Sequence, residues 1–510
     1  MGRRLAAALV VLVVVTAGCM APLATSGDAP SAEDRELGTI NGYNATDTID
    51  IEDPRALTEA ELEALTYRTM ARIEVLRELR FTEDVEVEIA TREDIRERYD
   101  SEGDPASPFA NERYRGTFLI DGDTDVNAAF DRLYGDAVAG FYTNNRIVLV
   151  VDDPDVVAIN RDTFVHELVH ALQDQQFGLE RHGTTHDERQ AETSLIEGEA
   201  NYVPHLYAQE CERNDQWTCY PSPAELAAMN DDDGDGDGLG GSVPEETDGN
   251  ETVEAEFNVG LFLSIFAPYS EGPTFVQHLH DTQRWSGVDT AFDERPISTS
   301  QIIHPETYPD NRPAGVTVED RSRGGWTPMT DGDGERETDT IGEATLFAAL
   351  FANGAIDHDL TAGATEISPY NYSHPATAGW AGDTFVGYEA PGGEVGHVWA
   401  LEWESDADAE RFAVAYERLL ANQGGEAIDG ANDTYVIGDG DPFAGAYRVT
   451  VDGDRVVIVG GPTVQSLEAI HPHPEGQTTA LEGAPTTLEA ASVTGSGAVA
   501  VGPVPIGSPA

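Results

Sequence analysis

Apolar residues recur at helical spacing through much of the chain, with shorter alternating stretches between them. Thr58-Glu59-Ala60-Glu61 opens as a capping box, and the pattern behind it predicts a helix to about Arg80. Val85-Glu86-Val87-Glu88-Ile89 alternates apolar and acidic residues, the period of a half-buried strand. Gly116 to Ile120 and Ile147 to Val151 carry further strand signals, so a small sheet is expected just ahead of the next helix. That helix spans Phe164 to Gln175, with Phe164, Leu168, Ala171 and Leu172 on its apolar face. Glu192 to Tyr202 reads as another helix, and Tyr269 to Tyr308 as helical and then irregular. From about Thr340 the pattern changes. A helix at Glu343 to Phe351, the Trp380 segment, a strand at Val398 to Trp403, a helix at Asp406 to Leu420 and a hairpin within Tyr447 to Val459 make a second lobe. The expected class is α+β: a helical domain with a small sheet, residues 53–325, followed by a smaller α+β lobe, residues 326–462.

The flanks read differently. Arg3-Arg4 precedes an apolar run from Leu5 to Val15, too short to span a bilayer and suited to a signal h-region over residues 1–18. The adjacent Arg pair suits twin-arginine export. Ala17-Gly18-Cys19 resembles a lipobox, which implies lipid on Cys19 and a location on the outer face of the membrane. Residues 19–52 are expected to be a flexible tether, and residues 463–510 a low-complexity tail. Asp231, Asp233, Asp235 and Gly236 look like the start of a calcium loop, but Ser242 stands where the twelfth-position Glu is needed. A disordered acidic insertion over about 228–252 is the better reading, and Asp331-Gly332-Asp333-Gly334 marks a second loop. Cys211 and Cys219, eight residues apart in an exported chain, read as a local disulfide. Asn44, Asn250, Asn371 and Asn432 open N-x-S/T sequons.

Candidate chemistry concentrates in Phe164 to Gln175, which contains H-E-x-x-H. His166 and His170, four apart on one helix face, can aim two imidazoles at one point, and zinc accepts imidazole nitrogen readily. Glu167 stands on the adjoining edge, where a base can take a proton from water without binding the metal. The reading is a zinc-dependent hydrolase with one catalytic Zn2+, most simply a metallopeptidase acting on a peptide or protein substrate. A catalytic zinc needs a third protein ligand and an open position. The extended pattern H-E-x-x-H-x-x-G-x-x-H fails, because Gln173 replaces Gly and Gln176 replaces His. Glu197 is the preferred third ligand, with Glu199, Glu192, His186 and His205 as rivals. The 26 residues between His170 and Glu197 suffice for a turn through Arg181 to Thr185 and an antiparallel return. Glu199 points about 200° from Glu197 on a helix, so only one of them can face the metal. Asn201, four residues past Glu197, is placed to hydrogen-bond a ligand. His304 and Tyr308 are candidate donors to a developing oxyanion, with a buried His and a core Tyr as the structural alternative.

The run VHELVHALQDQQF followed by LIEGEAN resembles secreted and surface zincin-like proteins of bacteria and haloarchaea, which carry HELTHALQDQ and then a Glu-Gly-acid-Ala box. Ala139 to Tyr142, the strand Arg146 to Val151, the segment Pro296 to Tyr308 and Gly379 to Asp383 are similar to other segments of that group, so the resemblance covers about residues 55–460. It implies a gluzincin-type arrangement: His166, His170 and Glu197 on zinc, with Glu167 as base. It also implies that a strand before the metal helix edges the cleft and can pair with an extended peptide. A non-catalytic surface binding protein on the same scaffold is the alternative, as is a lipoprotein that displays its C-terminal lobe.

Charge narrows the partners. Acids number 94 against 29 bases, leaving −65, and every base is Arg because the chain has no Lys. Since 40% of residues are hydrophobic and well patterned, wholesale disorder is a poor account of this excess. A solvated acidic surface in molar salt, where the Debye length is about 3 Å, accounts for it better and points to a halophile. Nucleic-acid binding is disfavoured, because no basic face exists to neutralise phosphates.

Two outcomes follow from sequence alone. Cys19→Ser should move the protein from the membrane fraction to the medium; unchanged retention would exclude the lipid anchor. The melting temperature should rise with ionic strength between about 0.1 M and 3 M as repulsion among acids is screened. A flat profile would exclude charge screening as the reason for the composition.

Overall fold

The computed structural model describes residues 35–99, 105–134, 140–151, 153, 156–213, 216–231, 257–428 and 431–472. The leader, Cys19, Asn250, the acidic insertion beyond Asp231 and the chain beyond Pro472 lie outside the described residues.

The chain enters through a hairpin, β1 (Thr39–Ile40) and β2 (Tyr43–Asn44). Asn41 and Gly42 form its turn at φ 49° and 86°, the left-handed pair that tight hairpins demand. Residues 35–52 are therefore no flexible tether. Ile40 and Ala45 are buried in the core, and Arg35 forms an ion pair with buried Glu74. Asn44 is exposed on β2. Helix α1 (Glu59–Arg77) starts at a capping box in which Thr58 and Glu61 satisfy each other's backbone donors.

A three-stranded sheet follows, with β3 (Glu86–Thr91) parallel to β5 (Arg146–Val151) and β4 (Gly140–Thr143) antiparallel to β5. The order β3-β5-β4 puts β5 in the middle, so β3 and β4, not the later strand, are the edges. Between β3 and β4 come α2 (Arg92–Tyr99), α3 (Pro108–Gly116) and α4 (Val126–Tyr134). Gly116 to Ile120, expected as a strand, instead ends α3 and turns, with Phe118 at φ 59°. The helical body continues with α5 (Arg161–Phe177), α6 (His186–Arg213), α7 (Pro223–Asp231), α8 (Val259–Gln283), α9 (Trp285–Asp293) and α10 (Thr299–Ile303). Cys211, near the end of α6, and Cys219 beyond it are joined in a disulfide.

The C-terminal part is an eight-stranded sheet with helices. Its elements are β6 (Thr327–Pro328), β7 (Thr338–Asp339), α11 (Glu343–Ala352), β8 (Trp380–Glu389), β9 (Val395–Trp403) and α12 (Asp406–Asn422). They continue with β10 (Glu426–Ile428), β11 (Ala431–Ile437), β12 (Gly445–Asp452), β13 (Arg455–Gly461) and α13 (Val464–Ile470). The order is β10-β11-β12-β13-β9-β8-β6, with β7 also paired to β8. Residues 464–470 are not low-complexity tail: Thr463 caps α13, and Leu467 and Ile470 pack on the sheet. The protein is thus α+β. Leu119 and Ile120 are anchored against Leu261 and Ala349, so the apolar run at 116–120 is buried by packing rather than by a ladder. The boundary expected at 325/326 is no boundary in the core, because Phe109, Phe118, Leu263, Phe266 and Ile303 share one cluster with Trp399 and Phe412.

A buried polar joint binds the two parts. His186 N–H donates to Asp339 Oδ1 at 2.6 Å and Asp187 N–H to the Thr340 carbonyl at 3.1 Å, so the first turn of α6 is held by the strand entering α11. Asp383 accepts from the backbones of Ile341 and Gly342 and from the indoles of Trp380 and Trp399. Gly342, at φ 81°, passes so close to the Asp187 carboxyl that a Cβ there has no room. Burial pushes the Asp187 carboxyl up to about 8 despite two hydrogen bonds from Thr299, with Asp383 and Glu343 adding to the rise.

An acid with a raised folded pKa keeps a proton that the unfolded chain has already released. Between pH 4 and 8 this group therefore makes stability fall as pH rises. Asp187→Asn should remove that share of the decline, giving a flatter plot of unfolding free energy against pH in urea titrations at fixed salt. An unchanged slope would mean that Asp187 is ionised in the folded protein.

Candidate metal centre

Helix α5 forms where Asn160 caps the backbone N–H groups of Asp162 and Thr163, and Gly178 ends it. Phe164, Val165, Leu168, Val169, Ala171 and Leu172 are all buried, so this helix is enclosed on nearly every side and its polar residues are held in an apolar setting. His166, Glu167, His170 and Glu197 are each 5% exposed or less. Glu197 comes from α6, seated by a close helix contact. Gly198 faces Gly272 of α8 backbone to backbone, and a Cβ on either glycine would enter the other helix. The Glu-Gly pair thus has a physical reason: the residue beside the carboxylate must be small for α6 to reach this depth.

His166 Nε2 and His170 Nε2 lie 3.0 Å apart, and Glu197 Oε2 lies 3.4 and 3.5 Å from them. At a zinc–ligand distance of about 2.0–2.1 Å, corners of a tetrahedron stand roughly 3.3–3.4 Å apart, close to these three edges. A point equidistant from all three atoms can lie about 1.9 Å away or farther, so the bond length is reachable. Glu197 Oε2 has no hydrogen bond, and neither carboxylate oxygen of Glu167 has one. Two imidazole nitrogens and an unsatisfied carboxylate oxygen buried this close together suit a cation, whether a proton or a metal ion. Among the described residues this is the one His/Cys/Asp/Glu group with such convergence.

The electrostatics carry the same imprint. Burial acts against a charge on His170, but the Glu197 carboxylate overrides it and raises the imidazole to about 9. Burial would raise Glu197, yet His170 and His166 pull it well below the usual carboxylate range. Burial raises Glu167, with the two histidines opposing and Glu197 reinforcing.

Gln173, absent from any motif reading except as a mismatch, orients the site. Its Oε1 accepts from His170 Nδ1 at 2.8 Å, which places the ring proton on Nδ1 and turns the Nε2 lone pair toward Glu197. Its Nε2 donates to the Ile196 carbonyl at 2.9 Å and to Glu199 Oε2 at 2.8 Å. Glu199 forms an ion pair with Arg77 of α1, which also reaches Asp289 at 2.5 Å. The signal was available in the i, i+3 spacing of His170 and Gln173, but the distant Arg77 was not.

The rivals for third ligand are occupied elsewhere. Glu199 belongs to the Gln173–Arg77 chain, and Glu192 accepts from the backbones of His182 and Gly183. His186 contacts Thr345, and His205 contacts Gln209 and Glu366. Asn201 does not touch a ligand side chain; its amide donates to the Glu197 backbone carbonyl at 2.9 Å, one turn back. His304 and Tyr308 are engaged by other partners. His304 Nε2 pairs with buried Glu343 at 3.1 Å, and the Tyr308 hydroxyl donates to the Glu294 carbonyl.

A cleft of about 650 Å³ reaches the site, lined by Tyr142 and Thr143 of β4, by His170, Glu197 and Ile196, and by the α5–α6 loop. Arg295 pins that loop through the carbonyls of Glu180 and Gly178. A family described as "Domain of unknown function (DUF8575)" matches residues 328–471, the span from the end of β6 through α13, which excludes all four residues of the centre. No curated protein and no solved structure matches the chain.

Gln173→Ala should weaken zinc binding about 10–100-fold in chelator competition, the usual worth of a group that orients a ligand, with circular dichroism unchanged. Undiminished affinity would show that the helix alone fixes His170.

Proposed function

We propose that this protein is a zinc-dependent metallopeptidase of gluzincin type on a zincin-like scaffold, carried on the outer face of a membrane by lipid at Cys19. The observation that carries the reading is the convergence of two imidazole nitrogens and one carboxylate oxygen within 3.5 Å, beside a buried carboxylate without a hydrogen bond. His166, His170 and Glu197 would hold the metal. Zinc at that position supplies a Lewis acid for a carbonyl and makes water acidic near neutral pH.

The remaining work belongs to the chain. Glu167, raised by burial, is suited to accept a proton from the attacking water and pass it to the leaving amine. Gln173 holds His170 in one tautomer, so that its Nε2 stays available. The free edge of β4 beside the cleft offers backbone donors and acceptors to an extended peptide, which supports a polypeptide substrate. Among the described residues no helix is long and apolar enough to cross a membrane, so attachment rests on the N-terminal signal and Cys19. One observation favours a non-catalytic binding protein on the same scaffold: only His170 and Glu197 of the four central residues line the cleft.

Two substitutions separate these readings. Glu197→Ala should lose zinc and activity together. Glu167→Gln should keep about one zinc per chain while turnover on a peptide library falls roughly 10²–10⁴-fold. Zinc loss in Glu167→Gln would make Glu167 structural. A zinc-loaded wild type that cleaves no peptide would favour the binding protein.

A further inference from the structure

Far from the zinc ligands in sequence, α1 buries two arginines four residues apart, Arg68 at 1% exposure and Arg72 at 0%. Like charges at that spacing repel, and burial removes the water that would screen them. Arg72 is well provided for. It donates to the carbonyls of Ala45 and Thr218, to the Tyr207 hydroxyl and to Cys219 Sγ, and its guanidinium lies 4.6 Å from the Trp217 ring centre. Arg68 is not. Nη1 donates to the Thr218 carbonyl at 3.0 Å and the Tyr207 hydroxyl lies close enough to favour the charged guanidinium, while Nε and Nη2 are buried without a hydrogen-bond partner.

Nε–H and Nη2–H are the two parallel donors on one edge of a guanidinium, the edge that grips a single anion or a carboxylate. Neither Arg68 nor Arg72 forms an ion pair among the described residues; Asp47 acts on Arg68 only through its field. Burial and the neighbouring Arg72 charge pull the Arg68 guanidinium down to about 10, which leaves it a cation at neutral pH. A buried cation with its bidentate edge free needs a counter-charge.

We propose that Arg68 and Arg72 form a buried monovalent-anion site that takes chloride, gripped by Arg68 Nε and Nη2, and that ties α1 to the Trp217-Thr218 segment of the disulfide loop. Chloride suits the edge better than a larger oxyanion, because one spherical acceptor needs only these two donors, whereas an oxyanion would bury further oxygens without partners. The site would also give this acid-rich chain a specific use for salt beyond screening. One carboxylate is the competing partner, Asp47, which already favours the charged guanidinium through its field.

The test uses the full chain. Crystals grown in sodium bromide should show an anomalous bromide peak within hydrogen-bond reach of Arg68 Nε and Nη2. In solution the wild type should melt several degrees higher in sodium chloride than in sodium gluconate at equal ionic strength, rising with the logarithm of chloride as one bound ion requires. Arg68→Met keeps most of the side-chain volume, and the gap between the two salts should close in it. No bromide peak at Arg68, or an unchanged gap in Arg68→Met, would overturn the site. A carboxylate partner predicts the reverse: no gap in the wild type, and one created by Asp47→Asn.

Discussion

The centre of this molecule rests on an unfavourable approach. Three electron-rich atoms, two imidazole nitrogens and a carboxylate oxygen, stand within 3.5 Å of one another in an interior nearly closed to water. Left to themselves such groups would move apart or be hydrated. They are held by packing: α5 is buried along its length, and α6 is pressed onto α8 through Gly198 and Gly272. The resulting strain is electrostatic, and a proton on His170 or a divalent cation relieves it. That is why burial, which ordinarily lowers a histidine, fails to lower this one.

The arginines show how an acid-rich chain builds an interior. With 29 of them against 94 acids, several are placed where one cation serves more than one carboxylate or carbonyl. Arg77 joins Glu199 and Asp289, and through Glu199 and Gln173 it bears on His170. Arg35 joins Glu74 and the Phe81 carbonyl, and Arg113 joins Asp339 at the joint to the C-terminal sheet. Lysine carries three donors on one compact charge but no fixed planar fork, so it matches two acceptors held in set directions less well. The composition and the interior are consistent: solvent-facing acids carry the net charge, and buried guanidiniums organise the acids that turn inward.

The segment matched by the domain family is not a free-standing appendage. Its strand leading into α11 supplies Asp339, Thr340 and Gly342 to the first turn of α6, the helix that carries Glu197 three turns on. Its core is completed by Phe109 of α3 and by Leu263 and Phe266 of α8. The helix bearing Glu197 is therefore tied directly to that sheet. Burial pushes the Asp187 carboxyl up to about 8, which favours its neutral form where α6 begins beside Asp383 and Glu343, two carboxyls that burial also raises.

The sequence by itself determined the elements with strong periodicity and strong caps: α1 behind its Thr58 box, α5 with its two histidines on one face, α12 and the β12–β13 hairpin. It also pointed to Glu197, because Glu-Gly-Glu at that distance allowed one carboxylate and not the other to face back. Both choices rest on local geometry, a helix period and a loop length. What it could not determine depended on long-range partners. Gly116 to Ile120 looks like a strand until α8 and α11 provide a place to bury it, and residues 35–52 look like a linker until α1 provides a face for Ile40. Gln173 reads as a broken motif until Glu199 and Arg77 arrive from α6 and α1, and His304 and Tyr308 read as cleft residues until Glu343 and the Glu294 carbonyl engage them. A polar side chain's role is set by which partner desolvates with it, and only the tertiary structure decides that.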